Sequence, residues 1–260
     1  MKKNRQNESI ILISEPAMTI IVKDEISNLF NGLFNISYPL NRLKFINTSS
    51  EEIEPDFLKG QEVYSLYIQE NNIKVVQTHT FRNLKLRDID LSRNGIQLVE
   101  NLAFANLSNL EKIYLDENKL TTLNSKAYEN LPKLRELALM KNYITLLGPS
   151  SFDFVKTTYI LLSLPHNRIA TIDEDVFKGS NGTNIHLYLD NNLLQQISVN
   201  IFHNRNFLEV RKKTLGIPNI FVKFVKMPAS SSCADKVLCW YCVAMKRKSV
   251  VMLPKVKRYS

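Results

Sequence analysis

The chain has 260 residues, 44% of them hydrophobic, and its 34 Lys and Arg against 25 Asp and Glu leave a formal charge of +9. That apolar content excludes wholesale disorder, while 7 Gly and 3 Cys exclude a glycine-rich phosphate cradle and a disulfide-dense scaffold. No apolar run approaches the roughly 18–20 residues of a membrane-crossing helix, the longest being Val237–Met245.

Residues 1–15 read as an N-terminal extension or cap strand. Lys2, Lys3 and Arg5 give it a basic start, but Glu8, Glu15 and Pro16 deny it the apolar stretch of an export signal. From residue 16 to residue 208 the chain reads as about eight repeats, the first two degenerate. Those two are Ile21, Asp24, Ile26, Leu29 and Phe34, then Leu40, Leu43, Phe45, Thr48 and Ile53. Asp24 and Thr48 stand where the six later units carry Asn71, Asn94, Asn118, Asn142, Asn167 and Asn192, at steps of 23, 24, 24, 25 and 25. One full unit is Leu110, Ile113, Leu115, Asn118, Leu120, Leu123, Tyr128 and Leu131. Its frame is L-x-x-L-x-L-x-x-N-x-L-x-x-L, with an aromatic residue ten positions past the Asn.

The residue types follow from the geometry that such a frame needs. Ile113 and Leu115 flank Tyr114, the period-2 signature of a short strand with one buried face. Strands one repeat apart lie parallel, and the turn that follows each leaves polar backbone inside the coil. A buried Asn side chain, with two donors and an acceptor, satisfies those groups; Thr48 and Asp24 can do so only in part. Phe81, Phe104, Tyr128, Phe152, Phe177 and Phe202 read as a spine under the outer side.

This pattern resembles the leucine-rich repeat family. The resemblance implies an α/β solenoid, a horseshoe with a parallel β-sheet on its concave face and an irregular or short-helical convex side. A unit of roughly 24 residues is similar to the extracellular animal subclass, which holds Toll-like and other cell-surface receptors and secreted arthropod immune proteins; intracellular inhibitor-type members use about 28–29. The implied function is non-catalytic protein–protein recognition, by a fragment of a cell-surface receptor or a secreted immune or adhesion protein, without a cofactor or small-molecule substrate. The alternative is an intracellular scaffold or regulatory subunit. Cell surface or extracellular space is the implied location, despite the missing export signal, with the cytoplasm as the alternative.

Outward strand positions supply the candidate binding residues. One column reads Glu70, Arg93, Glu117, Lys141, His166, and a second reads Arg42, Ser65, Asp88, Lys112, Glu136, Leu161, His186. Opposite charges alternate along both, a self-neutralising ladder. Asp88, Asp90, Asp116 and Glu117 could form an acidic patch, but Arg93, Lys112 and Lys141 are interspersed. The middle column is Lys44, Tyr67, Asp90, Tyr114, Ala138, Ser163, Tyr188. Charge is depleted around Met140, Leu161, Pro165 and Tyr188, and together with Tyr114 these are the expected contacts for a protein ligand on the concave face.

Chemistry finds little foothold. His79, His166, His186 and His203 are scattered, and Ser163 with His166 lacks an evident third group to orient the imidazole. Of five glycosylation sequons, those at Asn106 and Asn181 fall in turn segments and are the candidate glycan sites.

The tail, 209–260, reads as a basic, poorly ordered extension. Residues 205–260 hold 13 Lys and Arg with two acids, a balance of +11, while the other 204 residues hold 21 bases and 23 acids, a balance of −2. Lys246, Arg247 and Lys248, with Lys255, Lys257 and Arg258, are candidates for contact with anionic surfaces, although such runs are usually just solvated. Cys233, Cys239 and Cys242 lack a nearby fourth ligand for zinc. They also depart from the four-Cys cap that closes many extracellular members of the family.

Overall fold

Inward positions of the repeat close each coil around a dry interior. In the coil of Asn118, Leu110, Ile113, Leu115, Leu120, Tyr128 and Leu131 are all buried. The computed structural model describes residues 10–14, 19–23, 39–48, 50–55, 57, 58, 60–180, 182–195, 197–202, 206–214, 217–226, 240–246 and 249–252.

The strands follow in chain order. The first seven are β1 (Ile10–Ser14), β2 (Thr19–Lys23), β3 (Leu40–Ile46), β4 (Val63–Gln69), β5 (Val75–Val76), β6 (Asp88–Asp90) and β7 (Leu98–Val99). Next come β8 (Lys112–Tyr114), β9 (Glu136–Ala138), β10 (Leu146–Leu147), β11 (Tyr159–Ser163), β12 (Thr171–Ile172) and β13 (Asn184–Tyr188). The last four are β14 (Asn206–Thr214), β15 (Ile217–Lys226), β16 (Trp240–Lys246) and β17 (Ser249–Met252). One sheet runs β1-β2-β3-β4-β6-β8-β9-β11-β13-β14-β15-β16-β17. From β2 to β14 every pairing in it is parallel, the arrangement a coil gives when each strand pairs with the next repeat. Two small parallel pairs, β5 with β7 and β10 with β12, flank it. Among the described residues helix is confined to two 3-10 turns, Ser125–Tyr128 and Val199–Phe202. The chain is thus a parallel-strand leucine-rich repeat solenoid with almost no helix among the described residues.

Register is held across the whole stack. Arg42, Ser65, Asp88, Lys112, Glu136, Leu161 and His186 lie side by side, although the period lengthens from 23 to 25 residues. The added residues are therefore absorbed outside the paired positions. At the N-terminal end the repeat frame needs a correction: Ile20 pairs with Leu43 and is buried, whereas Ile21 pairs with Lys44. The first period is 23 rather than 24, and a slip of one residue moves a side chain to the other face.

The asparagines tie each coil to the one before it. Asn118 Oδ1 accepts the Ile96 N–H at 3.1 Å, and its Nδ2 donates to the Leu91 and Leu115 carbonyls, both at 3.0 Å. Asn142, Asn167 and Asn192 repeat that set on Leu120, Ile144 and Ile169. Asn94 binds the Ile73 N–H and the Ile68 carbonyl, and Asn71 binds the Thr48 N–H and the Phe45 carbonyl. Thr48 is fully buried, and its hydroxyl donates to Asn71 Oδ1. The position before each of these residues is left-handed, with φ of 55–57° at Asn47, Glu70, Arg93, Glu117, Lys141, His166 and Asn191. Such a backbone costs about 1 kcal/mol for a residue with a Cβ, and the buried hydrogen bonds beside it offset that strain.

On the convex side Phe81, Phe104 and Tyr128 stack at 5.3 and 5.6 Å, and Phe152 stacks on Phe177 at 4.9 Å. The two runs do not meet directly. Phe154 stands between them, 4.9 Å from Tyr128 and 6.1 Å from Phe152. Phe202's side chain lies outside the described residues.

β14 continues the parallel sheet into the stretch 209–260, and β15, β16 and β17 add to it antiparallel. Their runs of Ile, Val and Phe have strand propensity irrespective of the surrounding charge. The three Cys side chains lie outside the described set.

Candidate functional site

The exposed face of the parallel sheet divides by charge. Around Asn94 to Asn142 it is an ion-pair ladder: Arg93 meets Glu70 at 2.8 Å and Glu117 at 3.8 Å, and Lys141 meets Glu117 at 3.1 Å. Lys112 meets Glu136 at 3.5 Å, and Glu136 also accepts the Tyr114 hydroxyl at 3.3 Å.

Past β9 the alternation of acid and base in the register row gives way to Leu161. Tyr114, Ala138, Ser163 and Tyr188 lie in one register row. Two tyrosines three strands apart, about 14 Å, thus bracket two small side chains. Met140 and Pro165 belong to one side of this trough, next to Asp116, whose Oδ1 accepts the Met140 N–H at 2.6 Å. Glu136, Leu161 and His186 form the other side, where His186 packs on Tyr159 with ring centroids 5.2 Å apart. All five candidate contacts (Tyr114, Met140, Leu161, Pro165, Tyr188) are half-buried and belong to this one stretch of sheet. The small floor, Ala138 and Ser163, is the feature that a search for anchor residues overlooks; it is visible as the small entries of the middle column. Tyr159 joins the face because β11 alternates strictly over five residues, so Ile160 turns inward and Tyr159 outward.

Two acids border the trough. Asp190 Oδ1 is buried without a hydrogen-bond partner among the described residues. Burial pushes the Asp116 carboxyl up to about 6, against the Met140 N–H that favours its ionised form, and Asp90, Glu117 and Glu136 add to the rise. In the unfolded chain the group titrates near 3.9, so folding penalises its charged form, fully above about pH 6 and not at all below about pH 4. Asp116→Asn keeps the acceptor for Met140. It should therefore stabilise the protein by about 1 kcal/mol near pH 7.5, discounted for partial exposure. The gain should vanish as the pH falls through 6 toward 4; a gain independent of pH in denaturant melts would contradict this.

The remaining candidates lie elsewhere. His166 Nε2 meets Asn191 Nδ2 at 3.1 Å. Among the described residues no group of three or more His, Cys, Asp or Glu is placed to hold a metal ion, and no helix is long and apolar enough to cross a membrane. Asn106 is exposed on a convex turn with φ of 63°, and its Oδ1 accepts from Asn130 at 2.8 Å. Asn181 lies outside the described residues.

Comparison with known proteins agrees with this architecture. The profile of the family described as leucine rich repeat matches residues 61–120, 85–144 and 108–163. No curated protein matches the sequence. Among solved structures, one titled "Crystal structure of TLR13-ssRNA13 complex" is similar with a TM-score of 0.53 and 20% identity, over 68% of this chain and 29% of that one. At that identity the likeness concerns the fold, and the chain spans under a third of that structure's length. Residues 61–163 are leucine-rich repeats, and the chain that carries them folds as a leucine-rich repeat solenoid.

Proposed function

We propose that the chain is a non-catalytic protein-recognition module whose contact surface is the trough between Tyr114 and Tyr188. The observation that carries this reading is the break in charge alternation after β9, where Leu161 follows Lys112 and Glu136 in register. Beyond it, aromatic, Met and aliphatic side chains surround a small-residue floor, the composition of an interface core rimmed by charge. Desolvating Leu161 and Met140 costs little, whereas desolvating the paired Glu117 and Lys141 would break their contact. The asparagine ladder holds the sheet in one conformation, so binding loses little entropy.

The period and the solenoid's likeness to a Toll-like receptor structure support a finer proposal: part of a cell-surface receptor or a secreted immune protein, outside the cell, carrying a glycan at Asn106. That structure's title records single-stranded RNA for that protein. Here the middle of the face is a ladder of paired acids and bases, Lys112 with Glu136 and Lys141 with Glu117, which offers no uncompensated basic stripe to a polyanion. The basic charge beyond residue 205 is proposed as a separate contact for anionic surfaces.

With the ligand isolated on the intact chain, Tyr188→Ala and Leu161→Ala should each weaken affinity by about 1–3 kcal/mol without lowering the unfolding midpoint. Lys126→Ala, exposed on the convex 3-10 turn, should change nothing. Unchanged binding in the first two with loss in the third would move the site to the convex side.

A further inference from the structure

A second opening lies at the other end of the sheet face. Asn41, Arg42, Tyr64, Ser65 and Arg87 line a cleft of about 540 Å³, within the size range of ligand sites. It spans β3, β4 and the approach to β6. Arg42 and Arg87 both line it; Asp88 partly offsets Arg87, and the other acids nearby are committed elsewhere. Asp88 Oδ2 accepts the Ser65 hydroxyl at 3.0 Å and stands 3.4 Å from Arg87 Nε. Glu111, next to Arg87 along the sheet, is turned to Arg135 at 2.5 Å, and Glu62 is held by Lys85. Arg42 lies in register between Thr19 and Ser65, both neutral, and makes no ion pair among the described residues. Two residues further on, Lys44 sits over the Tyr67 ring at 5.1 Å and adds positive potential.

The cleft is therefore the place where the alternation of the face fails in favour of positive charge. A planar guanidinium fork matches a carboxylate in two parallel hydrogen bonds, and Tyr64 and Asn41 offer further polar contacts at the wall. We infer that this cleft takes an acidic side chain of the protein partner, held between Arg42 and Arg87. For the identity of the partner as a protein it rests on the recognition function proposed above. The face beyond the cleft offers no free basic stripe for succeeding phosphates, since Lys112 is paired with Glu136 and Lys141 with Glu117. A peptide can present one acid here and neutral side chains in the trough, which begins three strands from β4 at β9, about 14 Å away.

Phenylglyoxal, which modifies accessible arginines, gives a test on the intact chain when each site is read separately by peptide mass spectrometry. Reading by residue keeps contacts of the basic residues beyond 205 out of the result. An acetylated tetraglutamate amide should slow modification of Arg42 and Arg87 by about tenfold. Arg168, which stacks on Tyr143 at 4.4 Å, should be unaffected. Arg87→Ala should abolish the protection of Arg42. Tyr188→Ala should leave it intact, so failure of the trough and failure of the cleft are told apart. No protection at Arg42 and Arg87, equal slowing at Arg168, or protection as strong from inorganic phosphate or tetrauridylate at the same concentration would each overturn the assignment.

Discussion

Replacing Asn118 with Ala is expected to cost about 3 kcal/mol of unfolding free energy, because it strands one buried backbone N–H and removes two further buried hydrogen bonds at once. The Ile96 N–H loses its acceptor, while the Leu91 and Leu115 carbonyls each lose one of two donors and keep Asn94 and Asn142 respectively, so the damage falls on two coils rather than one. Thr48→Ala should cost about 1 kcal/mol. Thr48 contributes a hydroxyl to Asn71, while its N–H bond to the same oxygen survives the substitution. Chemical denaturation of the two variants in parallel decides the matter. Equal losses, or a larger loss at Thr48, would mean that the inward asparagines are not what couples neighbouring coils.

Phe104→Ala should cost more, about 3–5 kcal/mol. The ring is fully buried, stacked on Phe81 at 5.3 Å and on Tyr128 at 5.6 Å, so its removal leaves a void between two rings. The convex turns on either side are fixed through backbone bonds, Phe104 N–H to the Ala127 carbonyl among them, so collapse of the cavity would strain them. In a solenoid each coil contacts only its neighbours, so a defect in the middle also weakens cooperativity between the two halves. Denaturant unfolding should therefore show both a lower midpoint and a shallower slope. A lower midpoint with an unchanged slope would place the damage in one coil without uncoupling the halves.

The register of the sheet was legible in the sequence because the period sets it: a step of 23 to 25 residues puts Asp88, Lys112, Glu136 and Leu161 side by side. The slip at the N-terminal end was not legible, because Ile20, Ile21 and Val22 are all apolar and no alternation tells which faces inward. Phe152 and Phe154 lie in the same turn, so spacing alone could not show that the second interrupts the spine. Within the candidate site, the outward columns located Leu161 and Tyr188 on one face. The trough between them depends on which positions are small, a property of the column read down the stack rather than of any one repeat. The arginine cleft required side-chain geometry: in sequence Arg87 has an acid on the next strand, and only the structure turns Glu111 away to Arg135. The strands beyond residue 205 were hidden by the density of Lys and Arg, which says nothing about backbone pairing.

The central claim, that recognition uses the sheet face beyond β9, is tested most directly by hydroxyl-radical footprinting of the intact chain with and without its bound ligand. Methionine and tyrosine are reactive probes, and Met140, Tyr114 and Tyr188 all belong to the trough. Tyr143, 39% exposed and stacked with Arg168 off that face, serves as the internal reference. Complex formation should suppress oxidation of Met140 and Tyr188 most, Tyr114 less because its hydroxyl is already held by Glu136, and Tyr143 not at all. Protection of Tyr143 with Met140 and Tyr188 still oxidised at the rate of the free chain would contradict the account.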